Sequence, residues 1–156
     1  MKINNTLKLI ISIAVSELAG IIGAVFTTSS VNGWYAGIVK FFFNPQVWIF
    51  GPVWIILYFL MGISLWLIWK SDSKEKSKAI WLFLIQLALN AIWSPIFFGA
   101  QSIGNALAVI VLLWASIVLT ILVFKKISRP AGWLLLPYIL WVSFACYLNY
   151  AIWVLN

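Results

Sequence analysis

Amide and indole side chains at helical spacing are the groups of this chain that could bind another molecule. In the stretch "QLALNAIWSPIFFGA", Gln86, Asn90 and Trp93 recur at i, i+4 and i+7 and therefore share one face of a helix. Two amides in lipid would be costly, so this face should point inward, with Pro95 bending the helix just beyond it. The amides then either hold helices together or offer hydrogen bonds to a ligand, and the spacing supports both interpretations.

A second face of this kind lies in "PYILWVSFACYLNYAIWVLN". Trp141, Ala145 and Asn149 follow one another at intervals of four residues, with Leu148 beside them. An aromatic ring next to a small residue gives a flat apolar ligand something to stack on and room to fit. The same pattern is also typical of residues that fill the core of an aromatic-rich bundle. From the spacing alone, we favour this packing interpretation over a ligand site.

The stretch "WIFGPVWIILYFLMGISLWLIW" carries tryptophans of two kinds. Those near its ends are typical of the aromatic belt at a membrane interface, and they are Trp48, Trp66 and Trp69. Trp54 lies well inside the run, at a depth related to that of Trp93 and Trp141 in their own helices. These deep indoles predict an aromatic cavity that opens outward, with the long first loop above it as a lid.

Apolar runs long enough to cross a bilayer position these residues. The 156-residue chain is 65% hydrophobic and 8% charged, and a bilayer core of roughly 30 Å needs about 20 apolar residues in a helix. Such runs cover about 7–26, 48–69, 79–99, 105–124 and 132–155. They predict an all-α integral membrane protein, a five-transmembrane-helix bundle in a single membrane domain, with residues 27–47 as its long first loop.

The basic residues predict the orientation of the bundle. Of the 10 lysines and arginines, all except Lys40 lie in the N-terminal segment or in the loops "KSDSKEKSK" and "KKISRP". The positive-inside rule then places the N-terminus in the cytoplasm and the C-terminus outside the cell membrane. The net charge of +7 is explained by topology and by contact with anionic lipids, so we expect no nucleic-acid partner.

Glu17 is the only acidic residue within the predicted spans. It either belongs to a proton or substrate path or is a structural group near the bundle interior. It also interrupts the cleavage region of an apparent N-terminal signal peptide, so we expect the first run to be a membrane span instead. Without histidine, and with the single cysteine Cys146, the chain is expected to hold no metal, no cofactor and no internal disulfide.

Small residues recur every four positions along the first predicted helix. This stripe lets another helix approach closely and comprises Ser12, Ser16, Gly20, Ala24 and Thr28. The partner helix belongs either to the same bundle, which we favour, or to a second copy of the chain in a homodimer.

Several long stretches resemble the translocator protein, or tryptophan-rich sensory protein, family, also known as the peripheral-type benzodiazepine receptor family. They are "ELAGIIGAVFT", "WYAGIVK", "NPQVWIFGPVWIILYFLMG", "QLALNAIWSPIFFGA" and "PYILWVSFACYLNYAIW". The resemblance implies a five-helix bundle, often dimeric, whose pocket is formed by helices one, two, three and five and closed by the first loop. It implies ligands such as protoporphyrin IX, sterols in some members, isoquinoline carboxamides and benzodiazepines.

By position, the resemblance also implies which residues form the ligand site. They are Trp34, Pro45, Trp48, Trp54, Asn90, Trp93, Trp141, Ala145 and Leu148. Trp54 and Trp141 match the pair that bacterial relatives are thought to use in light-dependent porphyrin breakdown, in which an indole gives an electron to the excited macrocycle. No conventional catalytic constellation is visible, so at most the chain is an enzyme of this photo-oxidative kind.

Departures from the family pattern limit what can be carried over. The first loop reads "KFFFNPQ" from Lys40 and lacks two of the usual prolines, which predicts a more mobile lid. Asn105 replaces a pocket tryptophan of animal members, and no basic residue follows Tyr150, as the cholesterol motif of those members requires. We therefore do not predict sterol binding.

These observations favour a membrane receptor or sensor that binds porphyrins, such as protoporphyrin IX, and related hydrophobic ligands in an aromatic cavity. A transporter of tetrapyrroles or other lipophilic solutes is the first alternative, although no internal repeat typical of alternating access is visible. A structural membrane scaffold whose indoles only pack and anchor is the second. The expected partners are a hydrophobic small molecule, membrane lipids and a second copy of the chain.

Overall fold

The computed structural model describes residues 3–156, and every regular element in that range is helical. The helices are α1 (Asn5–Val31), α2 (Trp34–Gly37), α3 (Val47–Trp69), α4 (Lys76–Ser94), α5 (Ile103–Ile127), α6 (Arg129–Leu134) and α7 (Leu136–Leu155). A π-helical turn, Pro95–Gly99, continues α4. Five helical stretches are long and apolar enough to cross a membrane: α1, α3, α4 with its π-turn, α5, and α6 with α7. The predicted five-helix, all-α architecture is confirmed.

The first helix extends further than predicted, to Val31 instead of Phe26. Its last turns are polar, yet they remain helical because Thr27 and Thr28 donate hydrogen bonds to carbonyls four residues earlier, at 2.9 and 2.8 Å. These bonds satisfy the hydroxyl groups without leaving the helix. The first loop is correspondingly shorter than 27–47, and α2 forms within it.

The predicted irregularity at Pro95 is the π-helical turn. The backbone N–H of Ala100 donates to the carbonyl of Pro95 at 2.8 Å, which is the five-residue spacing of a π-helix. The wider turn brings Phe97 and Phe98 inward, where both are buried. With Tyr35 of α2 they form an aromatic cluster at the end of the bundle that carries the first loop.

The two ends of the bundle differ, and we name them by their loops. The lysine-rich half contains the loop 70–75 and the connection at Ser128 between α5 and α6. There Phe83 and Phe124 stack with ring centroids 6.0 Å apart, both without solvent exposure. The hydroxyl of Ser64 donates to the carbonyl of Ala131 at 2.7 Å and ties α3 to α6. The first-loop half holds α2, the π-turn and the ends of α1 and α7.

Helices α1 and α3 touch closely in the lysine-rich half. A Cβ atom added to Gly62 would lie 2.6 Å from the Cα of Ile13, so only glycine permits this backbone approach. Ser12 and Ser16 of the small-residue stripe are fully buried, which places this part of the stripe inside the bundle. The other three members of the stripe are not fully buried. Gly20 packs against the ring of Tyr58 on α3, whereas Ala24 and Thr28 are exposed.

Candidate functional site

A cavity of about 330 Å³ lies between α1, α3, α4 and α7 in the first-loop half. Its size falls within the range of roughly 300–1,000 Å³ that is usual for small-molecule sites. The lining is predominantly apolar, and its aromatic members include Phe50, Trp54, Trp93, Phe97 and Trp141. Such a lining suits a flat hydrophobic ligand.

Trp54 and Trp141 stand on α3 and α7 and both line the cavity. Trp54 stacks on Tyr58 one turn further along α3, with ring centroids 5.3 Å apart. Trp141 packs edge-on against Phe50 at 5.8 Å, and its indole N–H is buried without a hydrogen-bond acceptor. The two indoles are therefore held by neighbouring rings, and the buried N–H of Trp141 is left without the partner that such a group normally finds.

The amide of Asn90 belongs to a buried network that joins three helices. Its side-chain oxygen accepts a hydrogen bond from the hydroxyl of Tyr58, and its Nδ2 donates to the hydroxyl of Tyr138 at 2.9 Å. Tyr138 in turn donates to Gln86 Oε1 at 2.9 Å. Both amides predicted from the α4 spacing thus hold α3, α4 and α7 together, while Asn90 also reaches the cavity lining.

Trp93 connects the cavity to the aromatic cluster above it. Its ring stacks on Phe97 at 5.1 Å, and its Nε1 donates to Asn149 Oδ1 at 3.1 Å. Asn149 also donates from Nδ2 to the carbonyl of Ile103 at 3.0 Å, so its amide links α4, α5 and α7. Trp93 is consequently fixed in orientation by the protein itself.

Most of the predicted ligand-site residues meet at this cavity. Its lining includes Trp54, Asn90, Trp93, Trp141, Ala145 and Leu148. Trp34, Pro45 and Trp48 lie outside the lining. Trp34 packs edge-on against Phe97 at 5.7 Å, and Trp48 is 69% exposed, with its Nε1 donating to Gln46 at 2.6 Å.

The first loop is attached to the bundle at the end of the cavity. Tyr35 of α2 lines the cavity and donates its hydroxyl to Asn44 Oδ1 at 3.2 Å. Burial raises the pKa of Tyr35, while the hydrogen bond to Asn44 lowers it in part, so the phenol remains a neutral donor at physiological pH. At the far side, the amide of Asn156 both donates to and accepts from the backbone of Val39, at 3.0 Å each.

Several residues that line the cavity were not among the predicted ligand-site residues. Glu17, Gly20 and Phe50 all contribute to the lining, as does Phe97 of the π-turn. Glu17 carried a detectable signal as the only acid in a span, whereas the other three look like ordinary helix-packing residues in the sequence. Among residues 3–156 no group of histidine, cysteine or acidic side chains is arranged to hold a metal ion.

Comparisons with known proteins agree with this architecture. A sequence profile of the TspO/MBR family matches residues 12–154. The chain is 44% identical over 152 residues to a tryptophan-rich protein TspO of Archaeoglobus fulgidus, covering 97% of this chain and 99% of the relative. It is 39% identical to the translocator protein of Bos taurus, covering 88% and 83%, and 33% identical to a tryptophan-rich sensory protein of Cereibacter sphaeroides, covering 86% and 85%.

Proposed function

The chain belongs to the TspO/MBR family of multi-pass membrane proteins, and from that premise we propose that it is a receptor for porphyrins. Protoporphyrin IX is the ligand we favour, bound in the cavity between α1, α3, α4 and α7. The observation that carries this proposal is the aromatic lining itself. Trp54, Trp93 and Trp141 line one cavity from three different helices. Aromatic stacking contributes about 0.5–1.5 kcal/mol for each ring pair beyond the burial of apolar area.

The first loop acts as a lid in this proposal. Its helix α2 lies over the cavity through Tyr35, and Asn156 holds the segment around Val39 against the end of α7. A lid at this position excludes water from the bound macrocycle and slows its release. The positive-inside rule places this end of the bundle outside the cell membrane.

A light-dependent step is a further part of the proposal. Trp54 and Trp141 are redox-active side chains at the cavity lining, within reach of a bound ring. The excited porphyrin accepts one electron from an indole, which leaves an indole radical cation and a porphyrin radical anion. Because Tyr58 stacks on Trp54 at 5.3 Å, the indole that gives the electron stays in a fixed orientation.

A titration of detergent-purified protein with protoporphyrin IX tests both parts. In the dark, the porphyrin absorbance should change saturably, and on illumination the bound spectrum should decay. Trp54→Phe and Trp141→Phe should slow the decay at least about tenfold while binding changes less. Trp81→Phe is the matched control, because Trp81 is 64% exposed and lies outside the cavity lining.

Three results would count against the proposal in different ways. Absence of saturable binding in the dark would contradict the receptor. Binding without any light-dependent change would remove the photochemical step alone. Equal decay in the Trp54, Trp141 and Trp81 variants would show that these deep indoles only pack.

Carriage of a lipophilic solute is the second candidate, favoured by the name translocator protein of the Bos taurus relative. The cavity gives such a solute a binding place within the bundle. Reconstituted vesicles distinguish the two functions: a carrier moves porphyrin into the lumen at a rate that rises with protein content. A receptor binds the same porphyrin without accelerating its entry.

A further inference from the structure

The cavity has an opening on its side, between α1 and α3. Among its lining residues, those with exposed surface all belong to these two helices, and they are Ile21, Ala24, Val47, Gly51 and Ile55. The residues contributed by α4, α5 and α7 are buried or half-buried. The cavity is therefore closed toward the centre of the bundle and open on one flank.

The glycines of α1 and α3 show where the two helices separate. They touch at Gly62 and Ile13, and again where a Cβ atom on Gly20 would lie 2.5 Å from the ring of Tyr58. Further toward the first loop, a Cβ atom on Gly51 would meet nothing within 4 Å. The opening thus begins above the contact of Gly20 with Tyr58, and its rim is apolar.

An apolar opening partway along two membrane-spanning helices faces lipid and not water. Molecules that enter there are dissolved in the bilayer. Flat aromatic compounds partition into that phase, and those with a charged group keep it near the interface until a partner inside the protein compensates its desolvation. A polar partner beside the opening would select among them.

Glu17 is an acidic group of the cavity lining just below this opening, on the lysine-rich side of the contact between Gly20 and Tyr58. It lies on the same face of α1 as Ile21 and Ala24, one turn below the first and two turns below the second, and it contributes to the cavity lining. Within residues 3–156 its carboxyl forms no hydrogen bond and no ion pair. No lysine or arginine of the described chain contributes to the lining either.

Apart from the indole N–H of Trp141, which can only donate, the other polar side chains of the lining already have partners. Asn90 is bonded to Tyr58 and Tyr138, and Asn149 is bonded to Trp93 and to the backbone. Thr27 and Ser94 share a hydrogen bond of 2.9 Å. Among the side chains that can accept a hydrogen bond there, the carboxyl of Glu17 is thus the one left for a ligand.

We propose that Glu17 binds the ammonium group of a flat aromatic amine that enters from the bilayer through the opening between α1 and α3. The ring system stacks within the aromatic lining, and the ammonium forms a charge-assisted hydrogen bond with the carboxylate inside the cavity, just below the opening. The pair compensates two charges that are each costly in an apolar environment. This inference rests on the proposed function, because it assigns a second ligand chemistry to the same cavity.

Two pyrene probes that differ in one group test the pairing. Pyrene-1-methylamine carries an ammonium, and 1-methylpyrene is its neutral counterpart. Calorimetric titration in a nonionic detergent, corrected with protein-free micelles, should show the amine binding at least about tenfold more tightly to wild-type protein. A charge-assisted hydrogen bond of ordinary strength gives a factor of this size.

A matched pair of variants then locates the effect. Glu17→Gln should abolish the advantage of the amine and leave the affinity for 1-methylpyrene within about twofold. Glu75→Gln removes the same charge from an exposed position in the lysine-rich half and should change neither affinity. If Glu17→Gln fails to fold, the difference between the affinities of the two probes for wild-type protein still tests the proposal.

Failure of this inference and failure of the proposed function give different results. If both probes bind wild-type protein equally, or if Glu17→Gln weakens both equally, the pairing with Glu17 is overturned while the aromatic cavity stands. If neither pyrene nor protoporphyrin IX binds saturably, the cavity does not receive flat aromatic ligands, and both proposals are overturned.

Discussion

The lysine-rich half and the first-loop half of the bundle use the same helices in opposite ways. In the first, α1 and α3 approach so closely that Gly62 has no room for a side chain, Phe83 stacks on Phe124, and the hydroxyl of Ser64 ties α3 to α6. In the second, the same helices separate, and a cavity with unpaired polar groups occupies the space. From this difference we expect the lysine-rich half to supply stability and the first-loop half to supply the proposed ligand site.

The largest effect on the free energy of unfolding is expected when one methyl group is added to α3 in the lysine-rich half, compared with the same addition in the first-loop half. Gly62→Ala drives a Cβ atom to 2.6 Å from the backbone of Ile13, so the helices must separate. We expect a loss near the upper end of the about 1–3 kcal/mol that is typical of overpacking. A Cβ atom on Gly51→Ala meets nothing beyond the adjoining residues, and its gain in helix propensity is opposed by crowding against the ring of Pro52, so the change should stay within about 1 kcal/mol.

Unfolding by a denaturing detergent in mixed micelles, followed by circular dichroism, measures both glycine variants. If the two variants lose the same free energy of unfolding, the halves do not differ in packing and the comparison fails.

A smaller effect is expected at the network beneath the cavity. Tyr138→Phe leaves the Nδ2 of Asn90 and the Oε1 of Gln86 without their partner in a buried site. Each unsatisfied group costs about 1–3 kcal/mol, so we expect a loss of about 2 kcal/mol after local relaxation. Tyr150→Phe, at a position 53% exposed, is the control and should unfold like wild-type protein.

Equal stability of the Tyr138 and Tyr150 variants would show that the buried amides do not need this phenol. The network beneath the cavity would then not belong to the part of the bundle that supplies stability.

The smallest effect on stability is expected at the end of the first loop. Asn156→Ala removes two exposed hydrogen bonds to Val39 and should cost less than about 1 kcal/mol of unfolding free energy. If the loop is a lid, release of bound protoporphyrin IX should nevertheless become severalfold faster in stopped-flow experiments. Asn105→Ala, which loses a hydrogen bond to Ser102 at the same end of the bundle, should leave the release rate unchanged.

An Asn156 variant with the wild-type release rate would contradict a closing role for the loop. A variant with a large loss of stability would instead assign the first-loop half a structural role that the comparison denies it.

The helices could be predicted from the sequence because hydrophobic length is a strong signal in a membrane protein. Hydrophobic length failed to predict the helix ends where the residues are polar. Thr27 and Thr28 look like loop residues, yet their hydroxyls bond back to the helix and extend α1 to Val31. In the same way, the short helix α2 has no periodicity long enough to recognise.

The part of the site that could be predicted is the set of residues whose depth along a helix determines whether they line the cavity. Trp54, Trp93 and Trp141 share a depth, and all three line the cavity. The opening and the position of Glu17 could not be predicted, because they depend on where α1 and α3 separate. That separation is set by contacts such as Gly62 with Ile13, which no local pattern of residue types reveals.

The measurement that tests the account most directly fills the cavity and asks whether binding is lost. Ala145→Phe places a ring among the lining residues, whereas Ala115→Phe places the same ring on an exposed face of α5 outside the lining. Titration with protoporphyrin IX in the dark should show affinity at least about tenfold weaker for Ala145→Phe and unchanged for Ala115→Phe. Wild-type affinity in the Ala145 variant would contradict a ligand site in the first-loop half.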